Sequence, residues 1–380
     1  MKIGKLLRAV ALIATLFTGC TPSKPTIEWD SSSLSYITPG NYARIKSVDN
    51  HHALVYNVGS RAYIRFSYDQ CDTWSEPTIV AQNDKYTYTN CELLQLQNRQ
   101  LLYMWNARPH KGTNLRYKIM YAISNDGGKE WSAERDLYIA DSTFNNGCWE
   151  PIALQLPDGE LQIYFANEGP YTESNEQEIS LMRSFDNGQS WGKAEKISFR
   201  ANSRDGMASP IYLPHSNQIA VAIEDNGIRG RFKPVIVRTS NNWADGCVTS
   251  NDSRREEAIA EEYKLHDTIY AGAPYLIRLG DDFTLLSIQS TEFRKGLNER
   301  YANMQVYVGD KDARNFSNRS TPVADLNKEG NSLWNSISQI NSNTVIAVMD
   351  MNSSAAEKRG IWTVKGRIVK SKEQLNLWLK

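Results

Sequence analysis

Apolar positions along the chain come in short runs closed by polar turn residues, and no stretch carries a sustained helical period. Such runs predict strands. One arrangement recurs: an apolar strand, a polar turn, and a second apolar strand. Its copies begin near Arg44-Ile45, Glu92-Leu93, Pro151-Ile152, Ser209-Pro210-Ile211, Pro274-Tyr275-Leu276 and Asn335-Ser336-Ile337. The returning strands are Ala53–Asn57, Leu101–Asn106, Leu161–Ala166, Ile219–Glu224, Thr284–Gln289 and Thr344–Asp350. Each unit has room for about four short strands, and six such units predict an all-β, six-bladed β-propeller as one domain over 26–380. The last unit is short of a strand. Beyond Thr344–Asp350 there remain Gly360–Val369 and Gln374–Trp378, and Thr26–Tyr36 precedes the first unit. One terminus is expected to supply the outer strand of the other's blade, closing the ring without a free edge.

A second repeat marks the turns. Ser67-Tyr-Asp69-Gln-Cys71-Asp-Thr73-Trp74, Ser124-Asn-Asp126-Gly-Gly128-Lys-Glu-Trp131 and Ser184-Phe-Asp186-Asn-Gly188-Gln-Ser190-Trp191 share the pattern Ser-x-Asp-x-Gly-x-x-Trp, with a shortened echo at Thr239-Ser240-Asn241-Asn242-Trp243. Asp accepts hydrogen bonds from turn amides, Gly takes a positive φ, and Trp packs beneath the hairpin. Cys71 stands where Gly belongs, so strain is expected in the first copy. These turns join third and fourth strands. They fall on the rim opposite the starts of the first strands and are read as scaffold.

Composition narrows the class. Hydrophobic residues make up 41% and aromatics 10%, enough for a large core and against a disordered chain. Basic and acidic residues balance at 43 each, which argues against a nucleic-acid partner held by bulk charge. Lys2, Lys5 and Arg8, the apolar run Ala9–Phe17 and then Thr18-Gly19-Cys20 read as a lipoprotein signal over 1–19. Cys20 is then the lipidated residue, 20–25 a tether, and the protein an exported one anchored to a bacterial outer membrane. Cys71, Cys91, Cys148 and Cys247 show no CxxC spacing, and five histidines make a zinc cluster improbable. Disulfides and buried thiols both remain open. No metal or cofactor is implied, and a monomer is expected.

The working rim collects residues just before each first strand and just after each second one. Arg44, Tyr88, Asn106, Arg108, Trp149, Asn167, Asp205, Gln289 and Trp334 are the candidates for binding substrate. Carboxylates, arginines, amides and aromatics in this mixture suit an oligo- or polysaccharide. Two glutamates stand out. Glu150 lies in Cys148-Trp149-Glu150-Pro151, and Glu224 ends the apolar run Ile219–Ile223. A carboxylate at the end of a buried strand is costly unless paired or used.

The Ser-x-Asp-x-Gly-x-x-Trp repeats resemble the Asp-boxes of the sialidase superfamily. Trp149-Glu150-Pro151, Leu156-Pro157-Asp158-Gly159-Glu160-Leu161, Arg204-Asp205-Gly206-Met207 and Gly272-Ala273-Pro274-Tyr275-Leu276 more closely resemble exo-1,5-α-L-arabinanases of glycoside hydrolase family 93. That resemblance implies a six-bladed propeller and an exo-acting, retaining glycoside hydrolase. Its catalytic pair would be Glu150 as acid/base and Glu224 as nucleophile, with the roles exchangeable and Tyr275 near Glu224. Sialidases are the alternative. Arg44-Ile45-Lys46 resembles their Arg-Ile-Pro, with Lys46 in place of Pro, but the early Asp acid is missing. A non-catalytic glycan-binding lipoprotein using the same rim is the third reading.

Overall fold

The computed structural model describes residues 23–141, 146–352 and 358–370. Six antiparallel sheets follow one another along the chain, each ordered from an inner to an outer strand. Blade 1 runs Asn41–Val48, His51–Val58, Arg61–Ser67 and Thr78–Gln82. The inner strands of blades 2 to 6 are Tyr86–Gln95, Cys148–Gln155, Asp205–Leu213, Ala271–Leu279 and Asn331–Asn341. Their second strands are Leu101–Pro109, Leu161–Asn167, Gln218–Asp225, Phe283–Ser290 and Thr344–Asn352. This is the all-β, six-bladed propeller that the repeated hairpins predict. The sixth blade closes as expected. Thr26–Trp29 pairs antiparallel with Gly360–Val369, so the chain's beginning supplies the outer strand of its end. Cys20, the signal segment and Gln374–Trp378 lie outside the described residues.

The core lies between blades. Each apolar cluster draws on two neighbouring sheets, as where Val55 and Ile64 of blade 1 pack with Leu93 and Tyr103 of blade 2. The three full turn repeats behave alike. Asp69, Asp126 and Asp186 accept from Ser67, Ser124 and Ser184 hydroxyls and from turn amides. The amides of Cys71, Gly128 and Gly188 donate to the same serines. All three of these residues have positive φ, and Cys71 at 68° bears the strain expected of a non-glycine there. Trp74, Trp131 and Trp191 pack against clusters shared between their own blade and the preceding one. The fourth copy is a turn of the same kind, with Thr239 and Asn241 in the Ser and Asp positions. The Trp243 amide donates to Thr239 Oγ1 at 2.9 Å and its φ is 69°, so this Trp occupies the glycine position of the turn. Cys71, Cys91 and Cys148 are buried and Cys247 half-buried, all as free thiols.

One feature repeats in every blade and was not visible as a motif. Each inner strand carries a bulge near its start, where two residues face one on the second strand. The first of the two has positive φ in all six cases: Tyr42, Asn90, Glu150, Met207, Ala273 and Trp334, between 48° and 55°. Non-glycine residues seldom take this conformation, and bulges re-aim side chains beside functional sites. Six bulges at one end of the ring therefore present six side chains around the axis, on the rim away from the Asp turns.

Candidate active site

An axial pocket opens at this ring of bulges. Arg44, Asn90, Glu92, Glu150, Met207 and Tyr275 are among its lining residues. Its floor is a buried polar cluster. Lys46 Nζ lies 3.0 Å from Glu92 and donates to the Tyr275 hydroxyl at 3.0 Å. That hydroxyl donates to Glu92 at 3.2 Å, and the Arg44 guanidinium sits over the Tyr275 ring at 5.0 Å. Four side chains from blades 1, 2 and 5 thus close the axis below the pocket.

Glu150 and Glu224 face the pocket by different routes. Glu150 is the bulge residue of blade 3, turned inward by its φ of 54°. Glu224 lies on the second strand of blade 4, opposite Gly206, and reaches across to blade 5, where Oε2 accepts from the Ala273 amide at 2.8 Å. Two glycines make room for that carboxylate. A Cβ on Gly272 would fall 2.4 Å from Glu224 Oε2, and one on Gly206 would fall 3.0 Å from Oε1.

The electrostatics are those of a strained carboxyl pair. Burial pushes Glu150 up to about 7, with Glu168 adding to the rise and Arg108 and Arg204 opposing it. Burial pushes Glu224 up to about 8, with the Ala273 amide opposing and the charge of Glu150 adding to the rise. Each is a carboxyl whose ionised form lacks full solvation, so both keep their protons to a higher pH than ordinary glutamates do. Two arginines attend them. Arg108 sits 4.7 Å over the Trp149 ring and is held by the side-chain oxygens of Asn106, at 3.2 Å, and Asn90, at 3.3 Å. Arg204 is ion-paired to Glu168 and donates to the Asn175 carbonyl.

The rim candidates divide. Glu150, Arg44 and Tyr275 line the pocket, the last two at its floor, while Arg108 and Glu224 lie close enough to Glu150 to interact with it by charge and Trp149 lies beneath Arg108. Trp334 stacks on Tyr42 at 4.6 Å and 21°. Tyr275 is not beside Glu224, because its hydroxyl is engaged by Lys46 and Glu92. The tyrosine beside Glu224 is Tyr270. The point 2.4 Å from Glu224 Oε2 is 2.5 Å from the Tyr270 hydroxyl. Burial and then the Glu224 charge push that phenol well above its usual range.

The remaining candidates sit behind the site. Tyr88 is fully buried between blades, with its hydroxyl on Glu134 at 2.8 Å. Asn167 is spent on Tyr138 and Ser180, and Asp205 on Arg255 and Ser198. Asn106 donates to the Cys148 carbonyl, and Gln289 spans the Tyr270 hydroxyl and the Trp334 amide, so both hold parts of the site in place. Side chains alternate across a sheet, and these strand-end residues turn between the blades rather than toward the axis. Tyr270 and Arg204 share a place in the sequence, three residues ahead of a bulge. That offset is the signal by which Tyr270 could have been found. Among the described residues, no group of three or more His, Cys, Asp or Glu could hold a metal ion.

The family model for a BNR repeat-like domain matches residues 61–223. No curated protein sequence matches the chain. Solved structures do match in shape. A protein of unknown function from Dyadobacter fermentans superposes with a TM-score of 0.66 at 14% identity, over 91% of this chain and 98% of that one. The family 93 α-L-arabinofuranosidase of Fusarium graminearum, in complex with arabinobiose, gives 0.60 at 13% identity, over 93% and 99%. A sialidase of Streptococcus pneumoniae gives 0.57 at 10% identity, over 92% of this chain and 70% of that one. The chain therefore has a six-bladed propeller fold similar to that of family 93 arabinanases and sialidases, with a BNR repeat-like match from the third strand of blade 1 into blade 4.

Proposed function

We propose that the protein is an exo-acting, retaining glycoside hydrolase that releases arabinose-containing units from α-L-arabinan-type polysaccharide. The observation that carries this reading is the Glu150–Glu224 pair, two partly buried carboxyls both raised by desolvation, Glu224 further by the charge of Glu150, with Glu150 lining the pocket. Retention needs one ionised carboxylate as nucleophile and one protonated carboxyl as acid. Arg204 favours charge on both carboxyls, but Arg108 favours it on Glu150, which fits the exchanged assignment. Glu150 attacks the anomeric carbon. Glu224 gives its proton to the leaving oxygen, then takes one from the water that releases the sugar. Tyr270, hydrogen-bonded by Gln289, fixes the Glu224 side of the pocket. A floor closed by Lys46, Glu92 and Tyr275 suits a chain end rather than a chain passing through. The fold likeness to an arabinofuranosidase crystallised with arabinobiose supports this sugar class over others.

The experiment is a product profile on arabinans and sialylated glycans, with the anomeric configuration of the first product followed by NMR. Arabinose-containing products of retained configuration, lost in Glu150→Gln, support the reading. Binding without turnover would point to a glycan-binding protein. One observation favours a sialidase instead: the Tyr275–Glu92 hydrogen bond beneath Arg44 is the arrangement of a tyrosine nucleophile with its base. Release of sialic acid, abolished in Tyr275→Phe and retained in Glu224→Gln, would establish that reading.

Anchoring through a lipidated Cys20 is part of the same proposal. Thr26 pairs with Val369, at the end of the third strand of blade 6, so the chain enters the propeller on the rim away from the pocket. A lipid attached there holds the pocket mouth toward solution. Replacement of Cys20 by Ser should release the protein from the membrane fraction, and continued sedimentation with membranes would refute it.

A further inference from the structure

The bulges have a repeated partner. The residue on the second strand that pairs with the one just ahead of each positive-φ residue is, around the ring, Asn57, Asn106, Ala166, Glu224, Gln289 and Asp350. Four of these side chains contact the bulge region of the following blade. Glu224 accepts from the Ala273 amide and Gln289 from the Trp334 amide, both at 2.8 Å. Asn106 donates to the Cys148 carbonyl at 2.7 Å, and the Cys91 thiol lies 3.9 Å from Asn57 Oδ1. Register carries the same address to Asp350, the blade 6 counterpart of Glu224. Its following bulge is that of blade 1 at Tyr42, which backs Trp334.

Asp350 is 5% exposed, and its Oδ1 has no hydrogen-bond partner among the described residues. A buried carboxylate oxygen without a partner is expensive, and one kept in a native fold calls for an explanation. Burial pushes this group up to about 6, against the pull of Arg359 alone.

We propose that Asp350 is a substrate-binding residue, accepting hydrogen bonds from hydroxyls of a neutral sugar ring that lies on Trp334 at the pocket mouth. It rests on the glycoside hydrolase reading and narrows it. A carboxylate accepts well from vicinal hydroxyls, and hydrogen bonds to a charged acceptor are roughly twice as strong as neutral ones. It repels a sugar that carries its own carboxylate at that place.

The test uses Glu150→Gln, which binds without turnover, and Glu150→Gln/Asp350→Asn, both titrated calorimetrically with arabinobiose and a panel of other neutral oligosaccharides. The double variant should bind at least about tenfold more weakly. Its melting temperature without sugar should stay level or rise, since a neutral amide is cheaper to bury than an unpaired carboxylate. Equal affinity in the two proteins, or a fall in melting temperature with unchanged affinity, overturns the role of Asp350. Absence of binding by Glu150→Gln to every sugar overturns the glycoside hydrolase reading itself, a result distinct from equal binding.

Discussion

Gly272→Ala isolates the placement of one carboxylate. The added methyl carbon would lie 2.4 Å from Glu224 Oε2 and 2.5 Å from the Tyr270 hydroxyl, and contacts under 3.0 Å are essentially never found. Glu224 must therefore move by at least about 0.6 Å, and by nearly 1 Å to reach an ordinary contact. Gly272 does not have positive φ, so alanine adds no backbone strain there. The clash falls on the Glu224 carboxylate end and on the hydroxyl end of the buried Tyr270 ring, so both sides of this contact must shift. Catalysis is less forgiving, because a misplacement of about 1 Å costs on the order of 100-fold, or about 2.7 kcal/mol of barrier. The expected signature is a kcat/KM for an aryl α-L-arabinofuranoside lowered about 100-fold in a protein that still unfolds cooperatively on heating. Gly192→Ala on the opposite rim, where the nearest atom would be 3.6 Å away, is the control and should change neither. A folded Gly272→Ala protein that keeps more than about a third of wild-type kcat/KM, against the ~100-fold loss expected of a displaced acid, would refute the assignment of Glu224 to the chemistry.

Three further outcomes follow from the same structure. The pH profile of kcat/KM should be bell-shaped, falling below about 7 as Glu150 is protonated and above about 8 as Glu224 loses its proton, and a flat profile across this range would exclude the pair. Glu224 holds its proton in the native state up to about 8 but, at the ordinary glutamate value of 4.5, releases it early when unfolded, so native stability falls as pH rises through this window. Glu224→Gln should accordingly melt higher than wild type at pH ~8.5 and about the same near pH ~4, and calorimetric scans at the two values check the sign. Trp131→Ala removes a ring set edge-on to Tyr103 at 5.7 Å on the far rim, and should cost about 3 kcal/mol in denaturant unfolding while leaving kcat/KM at 25 °C within about twofold.

Much of the architecture was legible along the chain. Strands were carried by alternation and turn chemistry, which act between neighbouring residues, and six copies of one hairpin allow few closed arrangements. The Asp turns were legible for the same reason, since Asp186 and the amides it accepts from lie within four residues. The fourth turn was legible as an echo, but not that its Trp243 takes the glycine position, where the ring nitrogen bonds Tyr164 of blade 3.

The candidate site was legible only in part. Glu150 and Glu224 announced themselves as carboxylates at the ends of apolar strands, where burial needs a reason. Tyr88, Asn167 and Asp205 were drawn from the same strand ends but are bonded inside the walls, to Glu134, to Tyr138 and Ser180, and to Ser198 and Arg255, because a residue's position along a strand does not say which face of the blade it takes once the strand bulges. The sequence by itself determined the repeat, the turns and the residue types gathered at one rim, all products of short-range pattern. The tertiary structure alone decided which of them meet. The six bulges turn one side chain per blade toward the axis, ring closure brings Lys46 of blade 1 against Glu92 and Tyr275, and contact across a blade boundary sets Glu224 between Gly272 and Tyr270. Those contacts join residues far apart in the chain, and only the closing of the ring brings them within reach.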